Sequence, residues 1–344
     1  MFIRVNECVI TKLRKSIFKT RDKCYSLQAT NSDALGILFF GSNDFALPSL
    51  QALHEYYKQN KLRKLEVVTA YKGEKNSLLK YVRSNGIVIH PWPPEVGTGQ
   101  FEIGVVVSFG YLIPSRIIEL FPLGMINVHG SLLPRWRGAA PICFSLMNGD
   151  TQTGITIMKI MPKRFDIGPV IAQKTTDIGL EDTHVDLQKK LAKLGAKTLV
   201  EVIENLPHAL HAAKPQKQEG VTYAPKVTKE LSFINWNQMT ARDVYNLQRA
   251  LTGMHPLRCY FGNEVIKLVN VKEATQTDQP QQIEKSEPGS VIYDKKLCKL
   301  YICCKNNTWI TVEKIVIPDK PPQSAVDFGS GFVMNRREKK CQFH

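Results

Sequence analysis

Asn127 and His129 stand two residues apart on a short apolar run, Met125-Ile126-Asn127-Val128-His129, which stops at Gly130. Side chains alternate along a strand, so the amide and the imidazole project from one face and Val128 from the other. Burying either group without a partner is costly. At a strand end the pair therefore either satisfies a turn or presents hydrogen-bonding groups to a ligand. A lone Asn-x-His favours the turn. The residues beyond it favour the ligand: Gly130, Pro134, the Arg135-Trp136-Arg137 cluster and Pro141 read as an irregular loop. Ligands of open parallel sheets bind outside the carboxyl ends of strands, where such a loop lies.

The full stretch, His129-Gly130-Ser131-Leu132-Leu133-Pro134-Arg135-Trp136-Arg137-Gly138-Ala139-Ala140-Pro141, resembles the signature loop of the folate-dependent formyltransferases. Gly154-Ile155-Thr156-Ile157-Met158, with Asp166-Ile167-Gly168 after it, is similar to a second motif of that family. The resemblance is strongest to the branch whose acceptor is methionyl-tRNA. It implies a catalytic trio of Asn127, His129 and Asp166, a folate-contacting segment Ser131, Leu132, Leu133 and Pro134, 10-formyltetrahydrofolate as formyl donor, and no metal. On that reading the formyl group passes from N10 of the folate to the methionyl α-amino group. Negative charge then grows on the formyl oxygen, and the Asn127 amide with a cationic His129 forms an oxyanion hole. Asp166 either orients the imidazole or takes the proton that the amine loses.

Arg135 and Arg137 have two readings that the sequence leaves open: they steer phosphates or the folate tail, or they pair with carboxylates inside the fold. Trp136 reads as a packing residue. Lys226 and Arg249, with Lys229, Arg242, Arg258, Lys267 and Lys272, make the second half of the chain a candidate platform for a tRNA backbone. The bland alternative there is a solvated surface. Two rival functions share these motifs: formylation of a small amine on a nucleotide-sugar or ribonucleotide, and an idle tRNA-binding protein. The loop wording and the basic second half favour tRNA over small amines, and an intact trio argues against idleness.

The supporting secondary structure is read from pattern. The chain has 344 residues, 43% hydrophobic and 22% charged, with a formal charge of +15. Such values suit two ordinary domains with an anionic partner. Eight cysteines without a Cys-x-x-Cys suggest neither disulfides nor zinc and fit a reducing compartment. No apolar run approaches the ~18 residues of a membrane span. Nothing demands more than a monomer.

Residues 1–33 are basic, poor in acid and loosely amphipathic, which reads as a mitochondrial presequence and hence a matrix protein; a basic tail is the alternative. From residue 34 to 207, strands near 34–40, 65–70, 87–90, 103–108, 127–129, 154–160 and 170–174 alternate with helices near 45–57, 77–85, 117–121, 141–149 and 183–206. That order predicts a doubly wound, Rossmann-like parallel sheet. The turn Gly41-Ser42-Asn43-Asp44-Phe45 lacks G-x-G-x-x-G, which removes the support for a dinucleotide enzyme; Asn43 or Asp44 is the expected helix cap. The loop Tyr71–Asn76 is shorter and less basic than the tRNA-wedging loop of the bacterial members the chain resembles. Residues 208–222, rich in Lys, Gln and Pro, predict a linker. Short strands near 264–271, 289–293, 297–304 and 309–316, after a helix at 241–251, predict a small OB-like β-barrel over 223–330. Residues 274–288 read as a mobile loop, and 331–344 as a basic, unordered tail.

Overall fold

The structure, a computed structural model, describes residues 34–70, 76–274, 286–334 and 341–344. The expected presequence, most of the Tyr71–Asn76 loop, the Gln-rich stretch 275–285 and part of the tail lie outside the described residues.

The first strand, β1 (Leu35–Gly41), is apolar throughout because it lies in the middle of a sheet covered on both faces. Around it stand β2 (Leu62–Val68), β3 (Ile89–His90), β4 (Ile103–Val107), β5 (Met125–His129), β6 (Gln152–Lys159) and β7 (Val170–Asp177), in the order β3-β2-β1-β4-β5-β6-β7. On one face Ile37 and Phe39 pack against the helices α1 (Leu47–Lys58), α2 (Ser77–Ser84), α4 (Pro141–Met147) and α5 (His184–Glu204). On the other, Leu38 and Phe40 meet Phe101, Phe109, Phe121 and the single turn α3 (Ser115–Ile118). Strand β5 turns Ile126 and Val128 toward the first core and Met125 toward the second. Asn127 and His129 succeed Met125 on that second face, where apolar cover gives way.

Two local expectations are corrected. The sheet is parallel only from β3 to β5; β6 runs antiparallel to β5 and β7. After β5 the chain returns through the signature loop and a helix of only 7 residues. Asn43 does not cap α1, whose N-cap is Ala46; its Oδ1 accepts from Phe45 N (3.1 Å) in the turn before the helix.

The second lobe contains helix α7 (Ala241–Leu251) and the strands β8 (Leu257–Phe261), β9 (Glu264–Glu273), β10 (Val291–Asp294), β11 (Lys299–Cys303), β12 (Trp309–Val316) and β13 (Gln323–Ser324). They form an antiparallel sheet ordered β10-β11-β12-β9-β8, with β13 on β12. Residues 341–344 close it into a barrel. Tyr260 of β8 exchanges both backbone hydrogen bonds with His344 (2.7 and 2.9 Å), while Val291 N bonds Cys341 O and Phe343 N bonds Gly289 O (both 2.9 Å). The expectation of an unordered tail fails at these residues: Cys341 and Phe343 are core, and Phe343 packs against Phe328 and Phe261.

The linker expectation also needs correction. Residues 208–222 form a strap bound to the first lobe. Helix α6 (His208–His211) buries Leu210, Lys214 exchanges backbone bonds with Val170 (2.7 and 2.9 Å), and Gln216 is buried. The lobes are fused further by α7, which places Ala250 in the first core and Val244, Leu247 and Leu251 in the second, and by Met147, which touches both. No helix among the described residues is long and apolar enough to cross a membrane.

Candidate active site

Register fixes the floor of the site. Asn127 lies between Val106 of β4 and Met158 of β6, and His129 pairs with Thr156. The β6–β7 loop starts at the Met125 end of β5, where Ile160 N bonds Met125 O, and folds back over the face that carries the pair. It delivers Asp166, with φ +55°, so that its Oδ1 lies 3.6 Å from His129 Nδ1. The loop lies close because residue 168 is glycine: a Cβ there would stand 1.7 Å from Lys159 O.

His129 is only 6% exposed, and its other nitrogen, Nε2, donates to Trp136 O at 2.9 Å. The carbonyl can only accept, so Nε2 carries a proton, while Nδ1 faces the Asp166 carboxylate. Asp166 is anchored in turn, its Oδ2 accepting from Gly138 N (2.9 Å). Asn127 is half-buried, and none of the described residues hydrogen-bonds its side-chain amide, so both of its N–H groups are available to a ligand. The three residues named from sequence are thus brought together: an anchored carboxylate, an imidazole held between two acceptors, and a free amide on the same strand face.

The segment 131–135 is fastened from behind. Ser131 is fully buried, its hydroxyl donating to Arg135 O (2.7 Å). Thr156 Oγ1 donates to Ser131 O (2.7 Å) and accepts from Leu133 N (3.0 Å), and Gln173 Nε2 donates to Leu133 O (2.8 Å) and Thr156 Oγ1 (2.9 Å). Leu133 is buried with Ser131, while Leu132 and Pro134 are half-buried and Arg135 is exposed. Across the carboxyl end of β4, Tyr111 and Leu112 are 50% and 45% exposed. Register sets that loop beside His129, since Val107 pairs with Val128. Sequence reading passed over these two apolar residues, although Gly110 and Pro114 bracket them as a turn.

The arginines resolve toward the fold. Arg135 forks onto Asp150 (Nε 3.0 Å, Nη2 2.6 Å) and lies 4.2 Å over the Trp136 ring, whose Nε1 also bonds Asp150 (2.7 Å). The bond to Asp150 pushes the Arg135 pKa upward. Arg137 is buried and forks onto a neutral partner, Gln216 Oε1 (3.1 and 2.7 Å). Arg249 is also buried, bonding Asn246 Oδ1 (3.0 Å) and the carbonyls of Gly179 and Asp182 (3.1 and 3.2 Å); desolvation lowers its pKa. Phosphate contact by Arg137 and Arg249 is therefore corrected to a structural role, since their donors face protein acceptors. Lys226 is exposed.

Gln216 escaped the sequence reading. Its Oε1 holds Arg137, and its Nε2 donates to the carbonyls of Asp166 (2.9 Å) and Gly168 (3.0 Å). The strap goes on to pair with the signature loop: Arg137 N bonds Thr222 O (2.9 Å), Ala224 N bonds Arg137 O (2.7 Å), and Trp136 N bonds Thr222 Oγ1 (2.9 Å). Gly138, with φ +124°, allows this approach, because a Cβ there would stand 2.5 Å from Ala224 O. A lone glutamine in a Lys- and Pro-rich stretch carries no periodic signal, which is why its role surfaces only in three dimensions.

Comparison with known proteins agrees with this architecture. Residues 93–203 match the formyl transferase model and residues 226–333 the formyl transferase C-terminal domain model. The chain is 38% identical over 314 residues to the mitochondrial methionyl-tRNA formyltransferases of Bos taurus and Homo sapiens, covering 89% of this chain and 80% of each relative. It is 34% identical over 269 residues to the methionyl-tRNA formyltransferase of Paracoccus denitrificans, covering 72% of this chain and 85% of that one. Among solved structures, a sugar 3N-formyl transferase, WlaRD, superposes with a TM-score of 0.57 at 20% identity, over 83% of this chain and 99% of that one. An N-formyltransferase from Helicobacter canadensis superposes with a TM-score of 0.59 at 17% identity, over 81% of this chain and 98% of that one. Those two likenesses concern the fold alone, whereas the identity to full-length relatives is decisive: this chain belongs to the formyl transferase family.

Proposed function

We propose that the protein transfers the formyl group of 10-formyltetrahydrofolate to the α-amino group of methionyl-tRNA, supplying formylmethionyl-tRNA for translation initiation in the mitochondrial matrix. The observation that carries this reading is the identity to methionyl-tRNA formyltransferases over most of both chains, together with Asn127, His129 and Asp166 gathered at one strand end. The folate supplies the formyl carbon and receives a proton at N10. Leu132, Pro134, Tyr111 and Leu112 would hold its flat ring, since apolar walls beside exposed backbone suit such a ligand.

Attack by the amine moves the carbonyl electrons onto the formyl oxygen. The unpartnered amide of Asn127 donates to that oxygen, and His129 adds a second donor once Nε2 exchanges Trp136 O for the substrate. The C–N10 bond then breaks, so that the amine loses one proton and N10 gains one. Asp166, held by Gly138 N, orients the imidazole and accepts the amine's proton directly or through a water chain. Ser131 and Leu133 shape the donor loop from within. Exposed Lys226 and the outward cations of the barrel are available to tRNA phosphates.

A substrate panel tests the reading: the full chain, 10-formyltetrahydrofolate, and either methionyl-tRNA, a nucleotide-linked amino sugar or an amino ribonucleotide as acceptor. Transfer to methionyl-tRNA is expected. Transfer confined to the small amines would overturn it.

A further inference from the structure

The barrel carries a cleft of about 700 Å3 that the chemistry above does not use, lined by Phe233, Asn235, Trp236, Asn237, Tyr260 and Glu287 among others. Phe233 and Tyr260 stack with centroids 5.5 Å apart and planes inclined by 26°. Tyr260 is nevertheless 43% exposed, so Phe233 leaves much of its ring open. Asn235 and Asn237 are exposed on the neighbouring segment. Trp236 between them is 3% exposed, and its Nε1 is buried without a hydrogen-bond partner, an orphaned donor in the wall.

The charge beside the cleft narrows the ligand class. Strand alternation puts Arg258 and Tyr260 on the outer face of β8, because Leu257 and Cys259 are buried within. Arg258 pairs in register with Lys267 of β9. Two cations directly opposite each other repel, which suits a surface that meets an anion. Arg258 Nε is also buried without a partner, and Lys267 makes no ion pair among the described residues. The acidic side chains nearby are Glu287 in the cleft wall and Glu230, which lies close enough to feel Arg258's charge, and His344 also lines the cleft, its O accepting from Tyr260 N at 2.7 Å. An aromatic ring with an open face, amide groups and a carboxylate able to read a base edge, and cations just outside are the parts of a nucleotide site. A neutral sugar would use the ring and the amides but leave the cation pair without purpose.

We propose that this cleft takes one unstacked nucleotide of the bound RNA, with its base on Tyr260 and its phosphate at Arg258 and Lys267. The inference rests on the reading of the protein as a tRNA formyltransferase and deepens it. The second lobe then holds RNA at an unpaired position as well as along its backbone.

The test uses the full chain with a single-stranded RNA decamer, a blunt duplex of the same sequence, uncharged methionine tRNA and the mononucleotides AMP and UMP. Binding is monitored by anisotropy of labelled RNA and by Trp236 fluorescence, with Trp236→Phe identifying the tryptophan signal. The decamer should quench that signal and compete with tRNA, whereas the duplex should bind without quenching. Tyr260→Ala should weaken decamer and tRNA binding by about tenfold or more, the worth of one base–aromatic stack, while Tyr260→Phe keeps it. Because Tyr260 is half-exposed, unchanged thermal midpoints will separate loss of binding from loss of fold. Equal decamer affinity in Tyr260→Ala, or equal quenching by duplex and single strand, would overturn the proposal. Quenching by mononucleotides with no effect of Tyr260→Ala on RNA would reassign the cleft to free nucleotides and overturn it as well. Formylation of methionyl-tRNA by the unaltered chain is measured alongside. Failure there would sink the functional reading, while failure of the decamer arms alone would sink only the cleft.

Discussion

Asn127 offers its amide to no described residue, whereas His129 already bonds Trp136 O through Nε2 and faces Asp166 through Nδ1. On the proposed mechanism this asymmetry gives Asn127 the larger share of oxyanion stabilisation. Asn127→Ala is expected to lower kcat by about 10²–10³, equivalent to ~2.7–4 kcal/mol, with little change in thermal stability. Asn127→Asp should be lower still, since a carboxylate repels the growing charge; steady-state kinetics would check both. Gln216 sits one bond further out. It joins Arg137 to the carbonyls of Asp166 and Gly168, so replacing it leaves a buried guanidinium without its acceptor. Gln216→Ala should cost about 1–3 kcal/mol in urea unfolding and lower kcat more than it raises the KM for methionyl-tRNA. A kcat equal to that of the unaltered chain would remove its positioning role. That Asn127, His129 and Asp166 lie together was legible because they stand in long, wordy motifs. Gln216 and Thr156 were not, because one buried amide or hydroxyl is indistinguishable in sequence from a surface one.

Strands and helices announced themselves where one periodicity ruled. The unbroken apolar runs at β1 and β4 and the amphipathic α5 lie within a few residues of their expected bounds. The direction of β6 did not, because alternation says which face a side chain takes and nothing about which way the strand runs. Helix α5 also carries a pH signature. His184 is its first residue, inside the Thr183–Asp186 capping box, and burial lowers the His184 pKa. The positive end of the helix dipole acts in the same sense. A histidine whose folded pKa is depressed binds fewer protons folded than unfolded. Stability should therefore fall as pH drops below the ordinary value of about 6.5 toward the folded value, and be insensitive to this group above it. Chemical denaturation from pH 7.5 to 5 should show a shallower decline in His184→Gln than in the unaltered chain. Parallel curves would exclude His184 as the source.

For the molecule as a whole, composition and loop wording were enough to foresee two lobes, one with an α/β sheet and one with an antiparallel barrel. They were not enough to foresee how the lobes join. The strap at 208–222 reads as polar linker because, Leu210 apart, its contacts are backbone bonds and single buried or hydrogen-bonded polar side chains such as Gln216 and Thr222, which leave no pattern. The tail was misjudged for a related reason: its basic residues outnumber Cys341 and Phe343, yet those two are the ones that fill the barrel. Phe343 is 1% exposed against Phe261 and Phe328, and Phe343→Ala should lower stability by about 3–5 kcal/mol, mostly through the second lobe. A loss under about 1 kcal/mol in urea unfolding would mean that the seam contributes little. Whether one strand end and one loop hold the charge and the proton of formyl transfer is decided by single-turnover formylation of methionyl-tRNA at saturating 10-formyltetrahydrofolate, comparing the full chain with His129→Ala. Rapid transfer is expected of the former and a rate at least about 10²-fold lower of the latter, with an unchanged near-UV spectrum. Equal rates in the two proteins would contradict that assignment.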